Sequence, residues 1–182
     1  MMPVTLRTER LVLDQPTPDD IDLIAQYCSD PVFERLMTTP WPYERKHAAH
    51  FVEKYVPLGW EDETEFTWAI RSDSDFLGMI GYRAQLRMIG YWLGAPHRGS
   101  GYMTEAATSV VEWVLEQGHP AISWECVEGN LASASVARKL GFTYTGCGPG
   151  QVLSRDGSAS PSWHAVLLAS DSRDPKPGWP TA

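Results

Sequence analysis

Apolar positions recur along this chain with two periods, and the changes between them mark out its elements. Leu6-Arg7-Thr8-Glu9-Arg10-Leu11-Val12-Leu13 ends in alternating positions and reads as a first strand. Pro16-Thr17-Pro18-Asp19-Asp20 supplies a turn and the acidic start of a helix, with Ile21, Leu23, Ile24 and Tyr27 on its apolar side. Pro31, Pro40 and Pro42 break up the next section. A second helix is predicted from Tyr43 to Tyr55, with Ala48, Phe51, Val52 and Tyr55 inward. Pro57, Gly59 and the acidic run from Glu61 to Glu65 read as a loop.

A meander follows: strands over Phe66 to Ile70, Phe76 to Tyr82 and Leu86 to Leu93, the first two joined by the turn Ser72-Asp73-Ser74-Asp75. From 102 to 117 the period lengthens. Met103, Ala106, Ala107, Val110, Val111, Val114 and Leu115 recur every three or four residues, as on one side of a helix that Gly118-His119-Pro120 stops. Ala121 to Val127 is a buried strand. Asn130 caps a helix running through Leu140, with Gly141 as its stop. Phe142 to Cys147 and Trp163 to Leu168 are the last strands, joined by a polar loop from Ser154 to Ser162. The proline-bearing tail, 171–182, reads as irregular or disordered, leaving one domain over 1–170 in a mixed α and β chain.

Composition narrows the function. A chain of 182 residues buries roughly 70% of its unfolded surface without staples. A net charge of −8 argues against a nucleic-acid partner, and no apolar run approaches the ~18 residues of a membrane span. Cys28, Cys126 and Cys147 are odd in number and widely spaced, so they predict no disulfide framework and read as small, mostly buried residues. His47 and His50 stand without further ligands, on what reads as a solvated surface; no metal is expected. No basic segment followed by an apolar run marks the start, which fits a cytoplasmic chain.

The passage from strand Met88-Ile89-Gly90-Tyr91-Trp92-Leu93 through Arg98-Gly99-Ser100-Gly101-Tyr102-Met103 carries the clearest chemistry. A helix that begins straight after a glycine-bearing loop presents unpaired N–H groups and the positive end of its dipole, which suits a phosphate. Gly99 and Gly101 allow close approach, and Arg98 adds a permanent charge. A dinucleotide fingerprint would need glycine at Thr104, and the Gly-Lys-Ser/Thr ending of a nucleotide triphosphate loop is absent. On spacing alone, an anion cradle and a merely tight connection remain open.

These residues resemble the GNAT superfamily of acyl-CoA-dependent N-acyltransferases, whose signature Gln/Arg-x-x-Gly-x-Gly/Ala reads here Arg98-Gly99-Ser100-Gly101-Tyr102-Met103, with Met103 in the last small position. Thr8-Glu9-Arg10-Leu11-Val12-Leu13 is similar to the opening of the Rim-type branch, the ribosomal-protein N-terminal acetyltransferases, and the segment from Asn130 to Gly141-Phe142 is similar to the superfamily's stretch of Asn, helix and Gly-Phe. The resemblance implies a mixed, mostly antiparallel sheet flanked by helices and splayed beside the loop. It implies acetyl-CoA as co-substrate, its pantetheine along Ile89, Tyr91, Trp92 and Leu93, its pyrophosphate on the amides from Arg98 to Met103. An amine, either a protein N-terminus or a small molecule, would accept the acetyl group by direct attack.

Where many relatives place an acidic tyrosine this chain has Ala137. Ser133, three residues after Asn130, matches the Rim-type serine as general acid and as a contact of the coenzyme; its alternative is a first-turn serine bonded back to Asn130. Asn130 is a cap, a pantetheine contact, or both. Glu125 and Glu128 are candidate bases, as is a water chain. Trp41, Tyr43, Trp60, Trp92 and Trp163 are candidate walls of the acceptor site, and Glu61 to Glu65 could steer a cationic acceptor. A non-catalytic acyl-CoA-binding module is the other reading, and monomer and homodimer stay open.

Overall fold

In the computed structural model, residues 1–181 are described; Ala182, the end of the predicted tail, lies outside them. The predicted first strand is a hairpin instead: β1 (Leu6–Arg7) pairs antiparallel with β2 (Val12–Asp14). The Leu11 N–H donates to the Thr8 hydroxyl and the Thr8 N–H to the Leu11 carbonyl, which closes a turn with Glu9 and Arg10 at its tip. Threonine's side chain competes with the sheet ladder for local backbone groups, and here it wins.

A 3-10 turn (Pro18–Asp20) leads into α1 (Ile21–Cys28). Pro31 does not interrupt structure but begins a short helix, α2 (Pro31–Leu36), at the first helical position, where its missing N–H costs nothing; the Asp30 side chain accepts from Val32 N–H as the cap. The helix predicted to stop at Tyr55 runs on through α3 (Arg45–His50), a π turn (Phe51–Tyr55) and α4 (Val56–Glu61), so most of the predicted loop is helical. The wider turn, closed by Val56 N–H on the Phe51 carbonyl, makes room for the ring of Pro57. Gly59 belongs in that helix because a Cβ there would lie 2.6 Å from the Glu65 carbonyl.

β3 (Glu65–Ser72) and β4 (Asp75–Arg83) join through Asp73 and Ser74, both left-handed, the turn that matches strand twist. β5 (Met88–Leu93), α5 (Tyr102–Glu116), β6 (Ala121–Val127), α6 (Leu131–Lys139), β7 (Thr143–Pro149) and β8 (Pro161–Leu168) follow. The sheet order is β1-β2-β3-β4-β5-β6-β8-β7. Its ladders are antiparallel except β5 with β6, which pair in parallel only through Met88 with Ser123 and Ile89 with Trp124. Beyond Ile89 the two strands part.

Each side of the sheet has its own core. Phe66, Trp68, Ile70, Ile80, Tyr82 and Ile89 pack with the inward residues of α5, to which Trp113 is added. Ala69 and Met79 meet Ile21, Ile24, Phe33, Ala48 and Val52 on the other side. Asp20 and Asp14 both bind the Arg71 guanidinium at 2.7 Å, tying the start of α1 to β2 and β3. Residues 171–181 form no helix or strand, but they pack against the domain. Trp179 is buried against Trp124 and Tyr144, and Arg173 packs so closely on Gly141 that a Cβ would meet its Cα at 2.7 Å.

Candidate active site

The loop before α5 owes its form to two glycines in the left-handed region, Gly99 at φ 83° and Gly101 at φ 81°. Gly101 stands at the N-cap, where a serine or aspartate side chain would have occupied the second or third helical N–H. Glycine leaves them open. Among the described residues, the N–H groups of Gly99 to Thr104 find no acceptor, and Gly99, Ser100 and Gly101 are exposed. A row of free amides at the positive end of a fifteen-residue helix is an anion cradle.

Arg98 departs from its expected part. Its Nε donates to the Leu93 carbonyl at 3.0 Å and its Nη1 meets Asp30 Oδ2 at 3.0 Å, so it braces the loop against α2 and β5. The cation that reaches the helix start is Arg10, from the β1–β2 turn, which sequence reasoning missed. Its guanidinium lies 4.8 Å from the Tyr102 ring centroid and within hydrogen-bond reach of Glu105 and the Ser100 carbonyl. Met103 is buried in the core, and only its N–H faces the cradle.

Next to the cradle lies the gap between β5 and β6. Alternation along β5 turns the backbone groups of Tyr91 and Leu93 to the gap side, since Met88, Gly90 and Trp92 are the hydrogen-bonded partners of β4. Side chains alternate too. Tyr91 points to the α6 side, where its hydroxyl donates to the Ser133 carbonyl at 2.9 Å and accepts from Trp124 Nε1 at 3.0 Å. Burial pushes the Tyr91 phenol above its ordinary value, so it stays protonated at neutral pH. The Trp124 indole also donates to Ser133 Oγ at 3.2 Å, while Asn130 Oδ1 accepts from the Ser133 N–H at 3.2 Å. Asn130 is therefore a cap. It holds the backbone of Ser133, not its hydroxyl, whose own hydrogen has no acceptor among the described residues.

A cavity of about 400 Å³ opens from this gap toward the α1–α3 side. Ile89, Tyr91, Trp92, Asn130 and Ser133 line it, as do the half-buried His47 and the exposed His50. Of the candidate aromatic walls, Tyr43 and Trp92 line it. Trp60 is instead a core residue on the far side, its indole bonded to the Thr67 carbonyl at 3.1 Å. The floor holds a polar set of which the sequence had pointed only to Glu65, at the end of the acidic run. Glu65 accepts from the Tyr55 hydroxyl and from Arg83 Nε, and Thr67 is buried with its hydroxyl unpartnered among the described residues. Gly81 and Gly90 are paired across β4 and β5, and a Cβ on Gly81 would lie 3.2 Å from the Thr67 hydroxyl oxygen.

Glu125 lines the cavity, but its two oxygens accept from Gln151 N–H at 2.9 Å and Val152 N–H at 2.8 Å. That carboxylate anchors the loop after β7. Glu128 lies on an exposed turn outside the cavity lining. Cys28 and Cys126 are pushed up to about 12 by burial and are thiols at neutral pH, whereas Cys147 is exposed rather than buried. Among the described residues, no group of three or more His, Cys, Asp or Glu is placed to hold a metal, and no helix is long and apolar enough to cross a membrane.

Comparison with known proteins gives this arrangement a family. The Uncharacterized N-acetyltransferase p20 of Bacillus licheniformis is 29% identical over 157 residues, covering 78% of this chain and 84% of its own. Three solved structures share the fold at low identity. RimL, a ribosomal L7/L12 α-N-protein acetyltransferase in complex with coenzyme A, superposes with a TM-score of 0.78 at 17% identity, over 91% of this chain and 98% of that one. The microcin C7 self-immunity acetyltransferase MccE, in complex with acetyl-CoA and AMP, gives 0.75 at 19%, over 88% and 93%. The ribosomal-protein-S5-alanine acetyltransferase of Vibrio fischeri gives 0.70 at 19%, over 96% and 100%. The acetyltransferase (GNAT) domain model matches residues 10–143, from the Arg10 turn through the cradle to the end of α6 and beyond, and the chain belongs to that family of acyltransferases.

Proposed function

We propose that this enzyme takes acetyl from acetyl-CoA and passes it by direct attack to an amine, a protein N-terminal α-amine or a small-molecule amine. The observation that carries the reading is the run of unpartnered amides from Gly99 to Thr104 beside the open side of β5. The cradle takes the pyrophosphate. The backbone of Tyr91 and Leu93 offers the pantetheine a strand to pair with, and the acceptor enters from the cavity side.

In the transfer, the amine nitrogen attacks the thioester carbon, the C–N bond forms and the C–S bond breaks. The leaving sulfur takes a proton from the Ser133 hydroxyl, which Trp124 aligns, and Ser133 regains one from solvent. The amine's surplus proton leaves to water. Deprotonation sets the choice of acceptor: at pH 7 a lysine of pKa about 10.4 costs about 4.6 kcal/mol, an α-amine near 7.8 about 1.1. With both Glu125 oxygens bonded to backbone amides, Glu128 outside the cavity and Glu65 bonded to Tyr55 and Arg83, the carboxylates around the site are already engaged, which favours the α-amine. The fold shared with RimL and the S5-alanine enzyme supports the same choice.

The test follows free thiol release from acetyl-CoA against peptides, ribosomal proteins and small amines, with the melting temperature read in parallel. Millimolar coenzyme should raise that temperature by mass action on the folded state, and some α-amine should give release. A shift without release on any amine would replace the enzyme reading with a coenzyme-binding module; no shift would remove the donor as well.

A further inference from the structure

The Thr8-Glu9-Arg10 segment takes no part in the transfer as described, yet it is built into the start of α5. Arg10 Nε lies 2.7 Å from Glu105 Oε2 and its Nη2 2.6 Å from the same atom, while the Arg10 N–H and the Thr8 hydroxyl both donate to Oε1. Its Nη1 donates to the Ser100 carbonyl at 3.2 Å. One side chain thus holds a carbonyl of the cradle and a carboxylate of the helix's first turn.

Both contacts bear on anion binding. The Ser100 carbonyl, held by Arg10, belongs to the stretch of loop whose amides are free. Glu105 is the one acid in the first turn of α5, at the end where the amides gather. A bare carboxylate there opposes a phosphate. At ~8 Å from a dianion, in a medium of effective dielectric constant ~40–80, the repulsion weakens binding roughly six- to thirtyfold. The guanidinium cancels that charge.

We infer that Arg10 is a positioning residue of the coenzyme site, which aligns the loop from Arg98 to Met103 and neutralises Glu105, so that the cradle depends on a turn ninety residues away. The inference rests on the acetyl-CoA reading above. It requires the β1–β2 turn to be docked before the amides can bind a pyrophosphate.

Coenzyme A titrated calorimetrically into the full chain at low salt tests it. Arg10→Gln should raise Kd about tenfold, and the loss should shrink as salt screens the exposed carboxylate. In turnover the loss should fall on KM for acetyl-CoA, with kcat at saturation changed less than about twofold. Adding Glu105→Gln to Arg10→Gln should bring Kd back within about threefold of wild type, and Arg10→Lys should keep most of the affinity. Apo melting temperatures show whether each variant is folded. A folded Arg10→Gln that binds like wild type, or a double variant as weak as the single one, overturns the clamp while leaving the acetyl-CoA reading intact. Failure of the wild type itself to bind coenzyme A overturns both.

Discussion

The two sides of the candidate site are made in different ways. The coenzyme side is nearly contiguous: β5, the loop and the first turn of α5 lie within residues 88–104, and they act mainly through backbone groups. The acceptor side is assembled from side chains far apart in the chain, His50 and Tyr55 before β3, Glu65 and Thr67 on it, Arg83 on β4, Trp92 on β5 and Ser160 beyond β7. A backbone cradle needs glycines at particular φ values and a helix start, and most side chains around it are free to vary. A side-chain cavity has no such local rule. Its chemistry is set by which strands are neighbours.

The largest effect expected on this contrast comes from Gly101→Glu, which forces a side chain into a φ of 81° and places a carboxylate on the cradle. Coenzyme binding should become undetectable by calorimetry while the fold, read by circular dichroism, is kept. Binding near the wild-type level would show that the backbone amides are not the donor's site. Outside the cavity, at the start of α1, Asp20→Asn should cost about 2 kcal/mol of stability in denaturant unfolding, less than a fully orphaned buried cation would, because Asp14 still pairs with Arg71. Burial pushes the Asp20 carboxyl up, but hydrogen bonds from Arg71 and Thr17 outweigh it and hold it below its ordinary 3.8. A carboxyl depressed by folding stabilises above that value. Its contribution should fade as pH falls through the lower, folded value, and the acid limb should flatten in Asp20→Asn.

At the junction of the two sides, Ser133→Ala should slow turnover about tenfold while leaving coenzyme affinity within about twofold of wild type. Equal losses in both would make Ser133 a binding residue only. The smallest effect is expected from Thr67→Val. It removes a buried hydroxyl that has no partner among the described residues, so stability should be unchanged or slightly higher, and KM for the acceptor should rise about threefold. An unchanged KM would mean that the cavity floor does not touch the acceptor.

How much could be read in advance follows the same division. The helix from 102 to 116 and the strand from 121 to 127 matched their predicted spans within a residue, because each carries one clean period and its own stop signals. The errors fell where a local rule met a tertiary demand. Pro57 and Gly59 signal a loop, yet a π turn accommodates the ring and the approach of the Glu65 carbonyl requires the glycine. The tail is rich in prolines, yet the surface of Trp124 and Tyr144 holds Trp179 in place.

What this sequence determined by itself was the succession of elements from β3 onward and the glycine loop before α5, since periodicity, caps and glycines are properties of neighbouring residues, while its motifs carried the family resemblance. Only the tertiary structure decided that Arg98 braces while Arg10 faces the cradle, that Glu125 anchors a loop, and that Thr67, Glu65 and Arg83 share a cavity floor. A charge acts on whatever lies within a few ångströms of it, and that distance is fixed by packing across the sheet, not by position along the chain.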